Sequence, residues 1–222
     1  MTGSYAGPMT DSLLDRVARL PFVAPADPAG VPASVLFALA PVDGADDLEL
    51  VLVQRPDHLR QHAGQVGLPG GAVDPGDADG VAAALREAHE EVGLDPAEVR
   101  VLGSLDRAYL PVSNFDVLPV VGLWDGRAPL VANPQEVAGI LRPTLRQLAD
   151  PANHGTVPLS RLVGPAALRG RHPDLPSPVF WVDGTLVWGF TAGLLAGFLR
   201  AVGLAAPPVP QGWGARPAAS GP

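Results

Sequence analysis

Cysteine is absent from the 222 residues. Its absence excludes a disulfide scaffold, a thiolate zinc site and a cysteine nucleophile, and leaves the compartment open. Basic residues are scarce: 15 Lys and Arg stand against 23 Asp and Glu, a net charge of −8. A long polyanion such as duplex DNA is therefore not an expected partner. A small anionic ligand stays compatible if positive charge is gathered locally. Long hydrophobic runs are lacking too. The longest apolar stretch, Leu186 to Leu199, runs into Arg200. It is too short to span a bilayer, so a buried helix and no membrane partner are expected. The N-terminus has no basic segment followed by an apolar one, so no signal peptide is predicted and a cytoplasmic location follows.

The 47% hydrophobic content is enough for a full core. Gly and Pro, at 26 each, gather in loops and at the two ends. The chain divides into a disordered segment 1–9, one domain over 10–204, and a flexible Pro/Gly/Ala-rich tail over 205–222. Leu13, Leu14, Val17 and Leu20 fall at helical spacing, with Thr10 or Asp11 as cap. Val35–Leu39 and Leu48–Val53 read as strands of a hairpin. Residues 54–76 read as loop. Asp77–Val92 is the clearest helix, capped by Asp77 or Asp79 and stopped by Gly93. Val99–Leu105 and Val117–Leu123 are strand-like, and Glu136–Leu148 reads as a helix interrupted at Pro143. Asp183-Gly184 is a two-residue hairpin turn between Val179–Val182 and Thr185–Trp188, and Phe190–Val202 closes the domain as a helix. The irregular alternation predicts an α/β fold, a mixed β-sheet with helices on both faces.

Chemistry concentrates in Arg86-Glu87-Ala88-His89-Glu90-Glu91-Val92-Gly93-Leu94. Glu87, Glu90 and Glu91 are related as i, i+3 and i+4, so the three carboxylates share one helix face. Val81, Ala84, Leu85, Ala88 and Val92 form a different, apolar face. Three like charges together repel, and hard divalent cations with oxygen ligands offset that. A solvated acidic face on a surface helix is the competing reading. Arg86 lies four residues before Glu90 and can pair with it. Upstream, Arg55, His58, Arg60 and His62 gather positive or titratable groups beside a glycine-rich loop that includes Gly70 and Gly71. Such a loop allows close backbone approach to phosphates. Solvated surface charges and an ordinary surface loop are the alternatives there.

The nine residues resemble the core of the Nudix box, Arg-Glu-apolar-x-Glu-Glu-x-Gly-apolar. Leu68-Pro69-Gly70-Gly71 resembles the loop that opens it. Arg60, Gly64 and this Leu-Pro-Gly-Gly, each separated by three residues, are similar to the extra motif of the coenzyme A pyrophosphatase branch. Arg55 matches an Arg at the start of that motif. Asn133-Pro134-Gln135-Glu136-Val137 and Val187-Trp188-Gly189-Phe190-Thr191-Ala192 also look like that branch, and the likeness covers roughly 33–200. The spacing from Gly71 to Arg86 is one residue longer than in the general box, and Asp77 replaces the usual Glu. The branch tolerates both. Leu68, Val53 and Pro56 stand where the branch usually has Phe, Thr and Ser or Ala.

The resemblance implies a Nudix fold and metal-dependent hydrolysis of a nucleoside diphosphate linkage, with Mg²⁺ or Mn²⁺ held by Glu87, Glu90 and Glu91. Arg86 would orient these carboxylates. Arg55, Arg60, His62, Gly70 and Gly71 would meet the small-molecule nucleotide substrate, coenzyme A or a derivative, whose phosphates suit a guanidinium clamp. Glu136 would serve as general base. A carboxylate stabilised at a helix start is its alternative. Trp181, Trp188 and Phe190 are read as core packing, with stacking on adenine as the alternative. Other readings are a Nudix pyrophosphatase for NADH, ADP-ribose or a nucleoside triphosphate, and a non-catalytic binding module.

Overall fold

A computed structural model describes residues 11–58, 63–111, 113–164, 174–211 and 213–215. Strand β1 (Val31–Pro41) is the axis of the domain. Its side chains alternate with period two. Phe37 and Leu39 enter one apolar cluster, while Leu36, Ala38 and Ala40 enter another on the opposite face. A strand buried on both faces needs a layer on each side. Helix α1 (Leu13–Ala18) lies on the first side.

Strands β2 (Leu48–Leu50) and β3 (Leu52–Gln54) follow, then β4 (Val66–Gly67) and β5 (Gly70–Ala72). Helix α2 (Gly80–Val92) covers the second face of β1. Strands β6 (Arg100–Ser104), β7 (Ala108–Leu110), β8 (Phe115–Leu123) and β9 (Gly139–Leu141) come next, then α3 (Leu145–Ala149). Strands β10 (His154–Pro158), β11 (Pro176–Val182) and β12 (Thr185–Trp188) precede α4 (Gly189–Ala201), which packs on the Phe37 side. The main sheet runs β2-β1-β8-β6, with β5 also on β1 and β7 also on β8. The β1–β8 pair is parallel and the others are antiparallel. Two three-stranded sheets, β10-β11-β12 and β4-β3-β9, complete the described strands. This is the mixed sheet between helices that the sequence predicts.

Several local expectations change. The first helix is capped by Ser12, not Thr10 or Asp11, because Ser12 and Asp15 form a reciprocal capping box. The stretch 54–76 holds β4 and β5, which gain order from pairing with β3 and β1. Glu136 sits in a turn rather than at a helix start. The helix expected over Glu136–Leu148 is a strand followed by a short helix, since β9 pairs with β3 and Thr144 caps a new start after Pro143. The hairpin turn is as read: Asp183 and Gly184 both have positive φ, 48° and 79°. The described part of the tail has no helix or strand, yet Pro207 is buried, and Val209 and Trp213 pack on the core. Residues 1–9, expected to be disordered, lie outside the described residues, as do 216–222. No described helix is long and apolar enough to cross a membrane.

Helix α2 begins at Asp79, whose carboxylate accepts from the Ala82 N–H at 2.8 Å. Asp79→Ala is expected to cost about 1 kcal/mol. In a chain of this size that lowers Tm by roughly 2–4 °C, readable by calorimetry.

Candidate active site

Helix α2 buries Ala84, Ala88 and Val92 against the sheet, and this fixes its rotation. Its C-terminus closes on Gly93 in the left-handed conformation, φ 69°. The acidic residues then fall at graded depth. The Glu90 side chain is half exposed and that of Glu87 is mostly covered. Glu91 is only 3% exposed. The Glu91 carboxylate accepts from the Gly70 N–H at 3.1 Å, so the loop before the helix lies directly on it. Gly71 leaves room for Glu87: a Cβ there would meet Glu87 Oε1 at 2.5 Å. Gly70 has φ +154° and backs onto the Ser34 carbonyl, so no other residue fits that approach.

Arg86 ties this face together. Its Nε and Nη2 bind Asp77 bidentately at 2.9 and 3.0 Å. Nη1 reaches Glu87 at 2.9 Å and Glu90 at 3.0 Å, and Nη2 also donates to the Ala72 carbonyl at 3.1 Å. The guanidinium thus joins helix and loop. The expected Arg86–Glu90 pair is present, but the buried partner is Asp77, which the sequence reading offered as a helix cap and as the replacement for the usual Glu of the box, without a partner. A loop carboxylate nine residues before the Arg has no periodicity to betray it. The signal was its place where the Nudix box usually has Glu. The Arg86 hydrogen bonds hold the Asp77 carboxyl below its ordinary value.

A second loop closes the other side. Asn133 N–H donates to the Glu91 carbonyl at 2.9 Å and Val131 N–H to that of Val92 at 2.9 Å. This sets the exposed Glu136 close enough that its charge raises both Glu87 and Glu91. With Glu136 in a turn, a helix dipole has no part in its environment. Arg55 approaches Glu91 from β3, and its charge opposes that rise. Its Nε is buried with no hydrogen-bond partner. The structure therefore brings together Arg55, Gly70, Gly71, Arg86, Glu87, Glu90, Glu91 and Glu136. Arg60 and His62 lie outside the described residues. His58 is exposed. Phe190 stacks on Trp213 at 5.3 Å, Trp188 is partly buried, and Trp181 is 42% exposed, short of the core packing read for it.

Among the described residues, no three acidic or histidine side chains already enclose one cation position. Arg86 engages Glu87 and Glu90 instead. The donor set still fits a hard divalent ion. It consists of carboxylate oxygens only, with mutual repulsion that a cation relieves and a glycine wall beside Glu87.

The NUDIX domain family matches residues 33–162. A protein described as uncharacterized Nudix hydrolase NudL, from Escherichia coli (strain K12), is 37% identical over 155 residues, covering 70% of this chain and 76% of that protein. Its counterpart in Enterobacter sp. (strain 638) is 36% identical over 166 residues, covering 75% and 81%. The crystal structure of RenU, a Nudix hydrolase from M. smegmatis, aligns at 25% identity and a TM-score of 0.46, over 54% of this chain and 73% of that one. The chain belongs to the Nudix family and is a Nudix hydrolase. Members of this family generally use divalent metal ions.

Burial pushes the Glu91 carboxyl up to about 7, against an ordinary 4.5, and Glu87 adds to the rise while the Gly70 N–H opposes it. With the folded-state value raised, protonation favours the fold. The stabilisation is fully present below pH 4.5 and is lost as pH rises through 7. Glu91→Gln removes the buried charge and keeps an oxygen for Gly70. In chelator at pH 8 its Tm is expected to rise on the order of 5 °C, with little change at pH 4.5. Scanning calorimetry at the two pH values checks this. An unchanged Tm at pH 8 would mean that Glu91 carries no buried charge.

Proposed function

We propose that this Nudix hydrolase cleaves the diphosphate linkage of coenzyme A or its derivatives. The products are 3′,5′-ADP and (acyl-)4′-phosphopantetheine. The observation that carries the reading is Arg55, whose buried, unpartnered Nε lies beside Glu91 at the start of the Arg60–Gly64–Gly71 motif. A buried donor without a partner is costly, and a substrate phosphate oxygen satisfies it. The domain is taken to extend over 10–204, beyond the family match at both ends.

Glu87, Glu90 and Glu91 would hold Mg²⁺ or Mn²⁺. The ion supplies charge neutralisation for the diphosphate and acidifies water. Arg86 fixes the carboxylate rotamers through Asp77. Arg55 donates to a diphosphate oxygen, and the Gly70-Gly71 backbone allows the diphosphate to come close. Arg60 and His62 extend the anion site on the strength of their motif. Glu136 takes the proton of the attacking water. The water oxygen bonds to one phosphorus, and the bond from that phosphorus to the bridging oxygen breaks. Catalysis is mostly positioning and electrostatic stabilisation.

The test is mass-spectrometric product analysis with coenzyme A, ADP-ribose and NADH, each with Mg²⁺ or Mn²⁺. Metal-dependent 3′,5′-ADP is expected from coenzyme A, and Glu90→Gln or Glu91→Gln is expected to abolish it. Arg55→Ala is expected to lower kcat/KM by about 10- to 100-fold, the loss of a charge-assisted hydrogen bond. AMP from the other substrates without 3′,5′-ADP would discard coenzyme A and keep the hydrolase.

A further inference from the structure

The described residues also line a half-open cavity of about 380 Å³ that the site above does not use. It lies between β7, the start of β11 and the N-terminus of α4, and its walls include Tyr109, Leu110, Leu159, Phe190, Pro210 and Trp213. None of the described lining residues is charged. Its volume lies within the range of small-molecule sites, which are mostly apolar.

The tail builds one wall. Trp213 stacks on Phe190 at 5.3 Å with the rings 29° apart. It also lies over Gly193 in α4, where any side chain would collide with the indole. The Gly214 carbonyl accepts from the Tyr109 N–H at 3.0 Å, and the Pro207 carbonyl from Arg200 Nη1 at 2.6 Å. These contacts hold an irregular segment in one place beside an empty apolar space.

A short stretch of backbone separates the cavity wall from the acidic helix. Glu91 holds Gly70, and Gly67 stands three residues before it, at most about 10 Å of chain. A Cβ at Gly67 would reach Thr191 Oγ1 at 4.0 Å. Thr191 follows Gly189 and Phe190 on the cavity wall. A substrate with its diphosphate at Glu91 therefore has the cavity within reach of a long arm. We propose that the cavity receives a hydrocarbon acyl group carried at the far end of that arm, and that Trp213 is its specificity-determining wall. The inference rests on the coenzyme A reading, because the pantetheine arm presents its thioester on the side away from the nucleotide. Adenine fits less well: Trp213 already covers Phe190, and the lining lacks charged or amide groups for a base edge.

The test compares kcat/KM for octanoyl-coenzyme A and free coenzyme A in the full chain, in Trp213→Ala and in Trp213→Phe, with thermal melts showing that each is folded. About two buried methylenes already give a tenfold preference. The octanoyl substrate is therefore expected to exceed free coenzyme A by about tenfold or more. Trp213→Ala is expected to bring that ratio to about one, and Trp213→Phe to restore most of it. Equal turnover of both substrates by the unaltered chain would overturn the inference and leave the coenzyme A reading standing. A fall common to both substrates in Trp213→Ala, with the ratio kept, would make Trp213 structural only and would also overturn it. Turnover of neither substrate would overturn the coenzyme A reading and this inference with it.

Discussion

Arg86 is the group on which the arrangement turns. Helix geometry puts Glu87, Glu90 and Glu91 on one side of α2, where their charges repel. One guanidinium answers this by binding Glu87 and Glu90 on the helix and Asp77 on the loop at once. Its fork matches Asp77 bidentately, which a lysine ammonium could not do. The same contact presses the Gly70–Ala72 strand onto the helix, and from there the Gly70 N–H reaches Glu91. Loop, helix and sheet thus share one polar anchor. The apolar faces of α2 and β1 set only the direction in which that anchor points.

Glu91 shows the cost of such a site. A nearly buried carboxylate with a raised pKa works against the fold at neutral pH. Its retention there fits a group kept for binding rather than stability. Arg55 presents the complementary case, a buried donor left without a partner. A buried carboxylate and a buried guanidinium Nε without a partner thus face the same polar slot.

Legibility in the sequence followed the length of each signal. Helix α2 declared itself because its apolar period, Asp79 cap and Gly93 stop agree. The Asp183-Gly184 turn did so because both positions need positive φ. Strands β4, β5, β7 and β10 were missed: the first three are two or three residues long, too short to show a period, and all four exist through pairing with neighbours. The stretch 136–148 misled because Val137, Ile140 and Leu141 fall at helical spacing, and pairing of β9 with β3 overrode it. At the site, the carboxylates of one helix were readable together. Asp77 was marked only by its place in the box, since a loop carboxylate has no period, and the approach of Arg55 to Glu91 joins distant parts of the chain that no local pattern links.

Strand β3 is continued by two backbone hydrogen bonds, Arg55 N–H to the Gln65 carbonyl and Gly64 N–H to the Arg55 carbonyl, at 2.9 and 3.1 Å. These bonds pin both ends of the segment between them. Closing such a loop grows costlier only slowly with its length, by about 0.6 kcal/mol per doubling. A change of length between Pro56 and Ala63 would thus cost the fold little, yet past Arg60 it would break the three-residue spacing from Arg60 to Gly64 on which the substrate reading leans. Selection on the length of this segment would on that reading act through the ligand and hardly through stability.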